Sequence, residues 1–113
     1  MADIHRTLAT ATGFEWDDGN APKVAARHGV EPGESEQAFF VEPFVVSFDG
    51  AHSEREARWR ALGQTLAGRN LFLVFTMRGT RIRVIAARDM NLRERRIYAS
   101  IEAKLDESPE VQD

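Results

Sequence analysis

A chain of 113 residues, 42% hydrophobic and 29% charged, has the size and mix of one globular domain with an ordinary core. It has no cysteine, which excludes disulfides, thiolate nucleophiles and sulfur-ligated metals, and its formal net charge of −3 argues against a surface coated with nucleic acid. No apolar run approaches the roughly 20 residues of a membrane span, and the opening MADIHRTLATATG lacks a hydrophobic signal core, so a cytoplasmic protein without membrane contact is expected.

Residues 1–12 are small and polar without a clear period and read as a flexible N-terminal tail; residues 13–106 form the single domain, and 107–113 an acidic C-terminal tail. FEWD at 14–17 alternates apolar and acidic residues, a short strand. DDGNAPKVAARHG reads as a helix, with Asp18 or Asn20 as cap, Pro22 in the first turn and Gly29 at its left-handed end. EPGESEQAFF is a second short helix, with Ala38, Phe39 and Phe40 on its buried side. PFVVSFD at 43–49 is a strand, DGAHS a loop, and the segment 54–66 starts charged and becomes a strand whose parity is disturbed at Gly63.

NLFLVFTMRGTRIRVIAAR is a hairpin about Gly79-Thr80, a two-residue turn with glycine first. That turn places Arg78 opposite Arg81, Thr76 opposite Arg83, Val74 opposite Ile85 and Phe72 opposite Ala87 on one side; Phe75 and Val84 belong to the other, buried side. The last helix spans about 92–105, with Asn91 and Glu94 as a capping box and Ile97, Tyr98, Ile101 and Leu105 as its buried stripe. The order is β-α-α-β-β-β-β-α.

Charge is distributed unevenly. Between Arg78 and Arg96 seven arginines stand against two acids, a formal +5; the eight basic and sixteen acidic residues elsewhere leave −8. Only Lys23 and Lys104 are lysine, and the arginine fork suits phosphate or carboxylate. Like charges opposed across a ladder are unfavourable, so protein carboxylates or an anionic ligand must lie over Arg78, Arg81 and Arg83.

The strings FEWDDGNAPKVAARHGV, EREARWRALG and LVFTMRGTRIRVIAARDMNLRERRIY together resemble the BrnT family, the toxin half of type II BrnT/BrnA toxin–antitoxin modules. The resemblance covers about residues 14–98, through Trp16-Asp17, Arg27-His28-Gly29-Val30, Glu56 and Arg58 before Gly63, Thr76 and Arg78, Arg83, Ala87-Arg88, and Glu94-Arg95 with Tyr98. It implies an α+β fold, a RelE-like antiparallel sheet flanked by helices. It also implies a ribonuclease of the mRNA interferase type, inhibiting translation without metal or cofactor. The implied partner is a BrnA-like ribbon-helix-helix antitoxin, with DNA met only through the antitoxin complex.

Metal-free RNA cleavage uses the ribose 2′-OH against the adjacent phosphate, and needs a proton acceptor, a proton donor and fixed positive charge. Arginines on a rigid hairpin suit the last need. Arg78 and Arg83 are the expected catalytic cations, converging on one phosphate. Arg58, Thr76, Arg81, Arg88, Arg95 and Tyr98 are expected to contact RNA. Replacing Arg78 or Arg83 is expected to abolish cleavage with little loss of stability.

For proton transfer the candidates are His28, Glu94 and Tyr98. A helix C-terminus favours a cation, so His28 suits an acid or phosphate ligand better than a base, or it only bonds the last helix carbonyls. Glu94 is equally a cap paired with Arg88 or Arg58. His5 and His52 have no partner at metal-ligand spacing and receive no role. A reading from another class stays open: a non-catalytic interaction module whose arginine face receives an acidic protein partner.

Overall fold

The computed structural model describes residues 3–106; the acidic tail expected at 107–113 lies outside them. The elements in chain order are α1 (Ile4–Ala9), β1 (Gly13–Phe14), α2 (Ala21–His28), α3 (Pro32–Ala38), β2 (Val45–Phe48), a 3₁₀ turn (Gly50–His52), β3 (Trp59–Gln64), β4 (Asn70–Arg78), β5 (Arg81–Asp89) and α4 (Leu92–Asp106). One five-stranded sheet runs in the order β1-β5-β4-β3-β2. This is the expected α+β class with two additions. β1 joins β5 in parallel, which makes the sheet mixed, and residues 4–9, expected in a flexible tail, are helical. Asp3 caps α1, and Ile4 and Leu8 pack against the core.

Helices α2 and α3 cover one face of the sheet. Val24, Val30 and Ala38 meet Ala61, Leu71, Leu73, Phe75, Ile82, Val84 and Ala87, all buried. Aromatic rings complete this layer: Phe39 lies 5.1 Å and Trp59 5.8 Å from Phe75, centroid to centroid. Gly63 leaves room for close approach, since a Cβ there would stand 3.1 Å from the Ala38 Cβ. Trp16 packs at the edge and donates its indole N–H to Glu36 at 2.7 Å. Phe40, expected on the buried side of α3, is 77% exposed because α3 ends at Ala38 and the chain turns outward.

Gly79 adopts φ +62°, the conformation a primed hairpin turn requires, and the predicted pairs Arg78–Arg81 and Thr76–Arg83 form. Beyond Phe75–Val84 the register slips by one residue. Val74 therefore faces Ala86 rather than Ile85, and Phe72 faces Arg88 rather than Ala87. The slip is a β-bulge with Ile85 as the extra residue. A regular strand would alternate Arg88 onto the core side; the bulge instead returns Ala87 to the core and turns Arg88 to the other face.

That other face is open along much of its length, and α4 crosses only part of it. Tyr98, 1% exposed, is the buried anchor of α4 and donates its hydroxyl to the Pro43 carbonyl at 2.6 Å. Ile97, expected in the buried stripe, is 42% exposed and Leu105 is also exposed; Ile101 is half-buried. The apolar stripe meets the sheet over one turn, and the helix then continues past the sheet.

Candidate functional site

The open face is floored by Phe72, Val74 and Ile85, and register places Arg60, Thr76, Arg78, Arg81, Arg83 and Arg88 on the same side. Three adjoining concavities share Phe72. One, of about 400 Å³, lies under the start of α4, with Arg60, Arg93, Glu94 and Ile97 at its walls. The next, of about 470 Å³, has Phe72, Val74 and Ile85 as floor and His52, Arg58 and Arg60 as rim. The third opens toward α2, beside Lys23, Arg27, His28 and Arg88. Together they form a trough with an apolar floor and basic walls.

The arginines fall into two groups. Arg83, whose side chain is 12% exposed, donates to Glu15 at 2.9 Å and to both Asp17 oxygens at 3.0 and 3.1 Å. The Arg83 hydrogen bond holds the Asp17 carboxyl below the usual carboxylate range, and Asp17 in turn raises Arg83. Arg78 meets Glu56 at 3.3 Å and Glu15 at 3.7 Å. Arg88 makes a two-pronged pair with Glu94 at 2.8 and 3.0 Å and lies 4.0 Å over the Phe72 ring. The repulsion among the clustered Arg78, Arg81 and Arg83 is thus relieved by carboxylates of the chain itself, on Arg78 and Arg83. Arg58, Arg60, Arg81 and Arg93 have no anionic partner among the described residues, and three of them, Arg58, Arg60 and Arg93, wall the trough.

Several predicted site residues prove to be braces. Thr76 is 1% exposed, and its hydroxyl donates to the Ala57 carbonyl at 2.7 Å, so it tethers the 53–58 loop instead of contacting a ligand. Tyr98 is likewise enclosed, with burial pushing its phenol up to about 12, so it is out of reach of RNA. Glu94 accepts from Asn91 N–H at 2.9 Å while Asn91 accepts from Glu94 N–H at 2.8 Å, the predicted capping box. The Arg88 hydrogen bond lowers the Glu94 carboxyl despite its burial, which makes it a weak base. Arg95 donates to the Met90 carbonyl at 3.0 Å. Arg81 is exposed at the hairpin tip, and His28 is exposed at the end of α2.

Arg78 and Arg83, expected to converge on one phosphate, meet at Glu15, at 3.7 and 2.9 Å, whereas Arg88 stands apart in its pair with Glu94. Arg83 and Arg88 sit five positions apart on β5, about 16 Å at roughly 3.3 Å per residue, and each is held by different acids.

Some contributors take roles that the sequence reading does not assign them. Arg60 shares the parity of Arg58 across Trp59, a signal available in ARWRAL. Arg69 donates to Asp89 at 2.7 Å, to Glu34 at 3.1 Å and to the Gly29 carbonyl at 3.0 Å, tying together the ends of α2, α3 and β5. It, and not His28, satisfies the terminal carbonyls of α2. Asn20 does not cap α2 by its side chain; it is buried and donates to the Glu15 and Val84 carbonyls, both at 3.0 Å. Asp49 and His52 form a pair at the rim of the trough, the His52 Nδ1 lying 3.1 and 3.2 Å from the carboxylate oxygens.

An α+β domain with a basic, apolar-floored trough on one sheet face has the charge and shape to take a nucleic-acid strand. The sequence pattern of one family, described as ribonuclease toxin, BrnT, of type II toxin-antitoxin system, matches residues 16–94. The chain belongs to this BrnT family of ribonuclease toxins, as the resemblance implied. Such a toxin works opposite an antitoxin. No individual curated protein matches the chain.

Proposed function

We propose that the protein is an endoribonuclease that binds single-stranded RNA along the Phe72 trough, cleaves it by 2′-OH attack without a metal, and so inhibits translation. The observation that carries this reading is the set Arg58, Arg60 and Arg93, guanidiniums without an anionic partner among the described residues, around an apolar floor. Guanidiniums spaced along a groove follow a phosphate backbone, and an apolar floor accepts base faces. Fixed positive charge also stabilises the five-coordinate phosphorus of the transition state. Guanidinium is the positive charge the trough walls offer, from Arg58, Arg60 and Arg93.

The proposed partner is a BrnA-like ribbon-helix-helix antitoxin that covers the trough and carries the DNA-binding function, in the cytoplasm. Among the described residues no helix is long and apolar enough to cross a membrane. The test is incubation of the purified chain with a long single-stranded RNA in excess chelator, with mapping of the new ends. Fragments ending in 2′,3′-cyclic phosphate and starting with 5′-hydroxyl are expected, and Arg60→Ala with Arg93→Ala should suppress them. Intact RNA, or cleavage that returns only with added divalent metal, overturns the proposal.

A further inference from the structure

We infer that His52, oriented by Asp49, is the proton acceptor for the 2′-hydroxyl; this rests on the ribonuclease reading above. Its side chain is 70% exposed while that of Asp49 is 7% exposed, so the carboxylate is fixed in the protein and the ring projects outward. A carboxylate only accepts, so Nδ1 donates its proton to Asp49 and the lone pair of Nε2 faces outward. The ring is thereby held in the tautomer a base needs, the service an acid renders in other histidine-dependent enzymes.

The loop that carries the pair is tied on every side. Asp49 N–H donates to the Arg58 carbonyl at 2.8 Å, the Ser53 hydroxyl donates to the Asp49 carbonyl at 2.6 Å, and Arg58 N–H donates to the Ser53 hydroxyl at 2.9 Å. Thr76 holds Ala57 from beneath. His52 shares its concavity with Arg58 and Arg60, so a phosphodiester bound to those guanidiniums lies beside the imidazole. No other proton group at the face is placed as well: Tyr98 is enclosed, Glu94 is held as a carboxylate by Arg88, and the His28 ring has no bonding partner among the described residues to orient it.

In the step assigned here the 2′-oxygen forms a bond to phosphorus as the bond from phosphorus to the 5′-oxygen of the next nucleotide breaks. The 2′-hydroxyl proton passes to His52 Nε2 and then to solvent. The departing 5′-oxygen takes a proton from water at the open mouth of the trough, leaving a 2′,3′-cyclic phosphate and a 5′-hydroxyl.

The test is single-turnover cleavage of a fluorescent single-stranded RNA by the full chain, with RNA affinity measured in parallel by anisotropy. His52→Ala and His52→Gln should slow the saturated rate by about 100-fold or more, the contribution of a general base, with affinity and thermal unfolding little changed. Asp49→Asn should slow it in the same sense. Added imidazole should recover part of the rate in His52→Ala and none in Arg60→Ala, a response a merely structural histidine does not give. Rates in both His52 variants within about threefold of the parent, against the 100-fold of a lost base, overturn the inference and leave the ribonuclease reading intact. A parent chain that cleaves no RNA overturns both.

Discussion

Arg83→Ala is the substitution for which structure and sequence give opposite expectations. By charge alone, removing one of several clustered arginines relieves repulsion and leaves stability nearly unchanged. In the structure Arg83 joins β5 to the segment after β1 through three hydrogen bonds to Glu15 and Asp17. Alanine would leave Asp17 without its hydrogen-bonded cation and Glu15 with only Arg78, at 3.7 Å. A hydrogen bond to a charged group contributes about 1.5–3 kcal/mol when one partner is removed. Asp17 is 57% and Glu15 31% exposed, so water recovers much of that, and surface ion pairs alone contribute at most about 1 kcal/mol. A net loss of about 1–2 kcal/mol follows, seen as a Tm lower by roughly 5–12 °C in a domain of this size. The loss depends on pH. Asp17 is depressed below its ordinary 3.8 in the fold, so its contribution is present above that value and fades as pH falls through the lower, folded-state value. Thermal unfolding followed by circular dichroism at pH 7 and near pH 3 gives both readings. A Tm within about 2 °C of the parent at pH 7, a shift worth under 1 kcal/mol, would refute the brace.

Tyr98→Phe removes the hydroxyl that serves the Pro43 carbonyl and should cost about 1–2 kcal/mol, measured by urea unfolding, with no change in RNA affinity. Glu94→Gln weakens both the Arg88 pair and the capping box, and about 1 kcal/mol of loss is expected. Because the Glu94 carboxyl is lowered from 4.5, that difference should be full at neutral pH and vanish under acid. Arg60→Ala combined with Arg93→Ala should weaken RNA binding and flatten its dependence on salt by about 1.4 in the log–log slope, close to 0.7 for each lost phosphate contact to a single strand; an unchanged slope would place the phosphate track elsewhere.

Features carried by neighbouring residues were legible in the sequence. The Asn91–Glu94 box, the glycine-first turn and the shared face of Thr76, Arg78 and Arg83 each follow from spacings of a few residues. The bulge was not legible, because Ile85, Ala86 and Ala87 are all apolar and any of them could face the core. The acids that neutralise the arginines could not be read either: Glu15, Asp17 and Glu56 stand 22 to 68 residues away from Arg78 and Arg83. Polarity also misled at Thr76 and Tyr98, since a hydroxyl suits a ligand and a buried tether equally well. His52 looks isolated by metal-ligand spacing, although Asp49 stands three residues before it, one turn of a tight helix.

The bulge in β5 also bears on association. β1 pairs with β5 only at Arg81 and Ile82, so the rest of β5 is an edge with backbone groups free to pair with a strand of another molecule. Ile85 breaks the regular ladder in that half, and the Asn20 side chain occupies the Val84 carbonyl. A local increase in twist and a blocked carbonyl make poor templates for a foreign strand. At the opposite margin β2 has four residues, too short for a long intermolecular ladder. The molecule can therefore keep an apolar-floored face open to solvent while its sheet margins resist fibre-like growth.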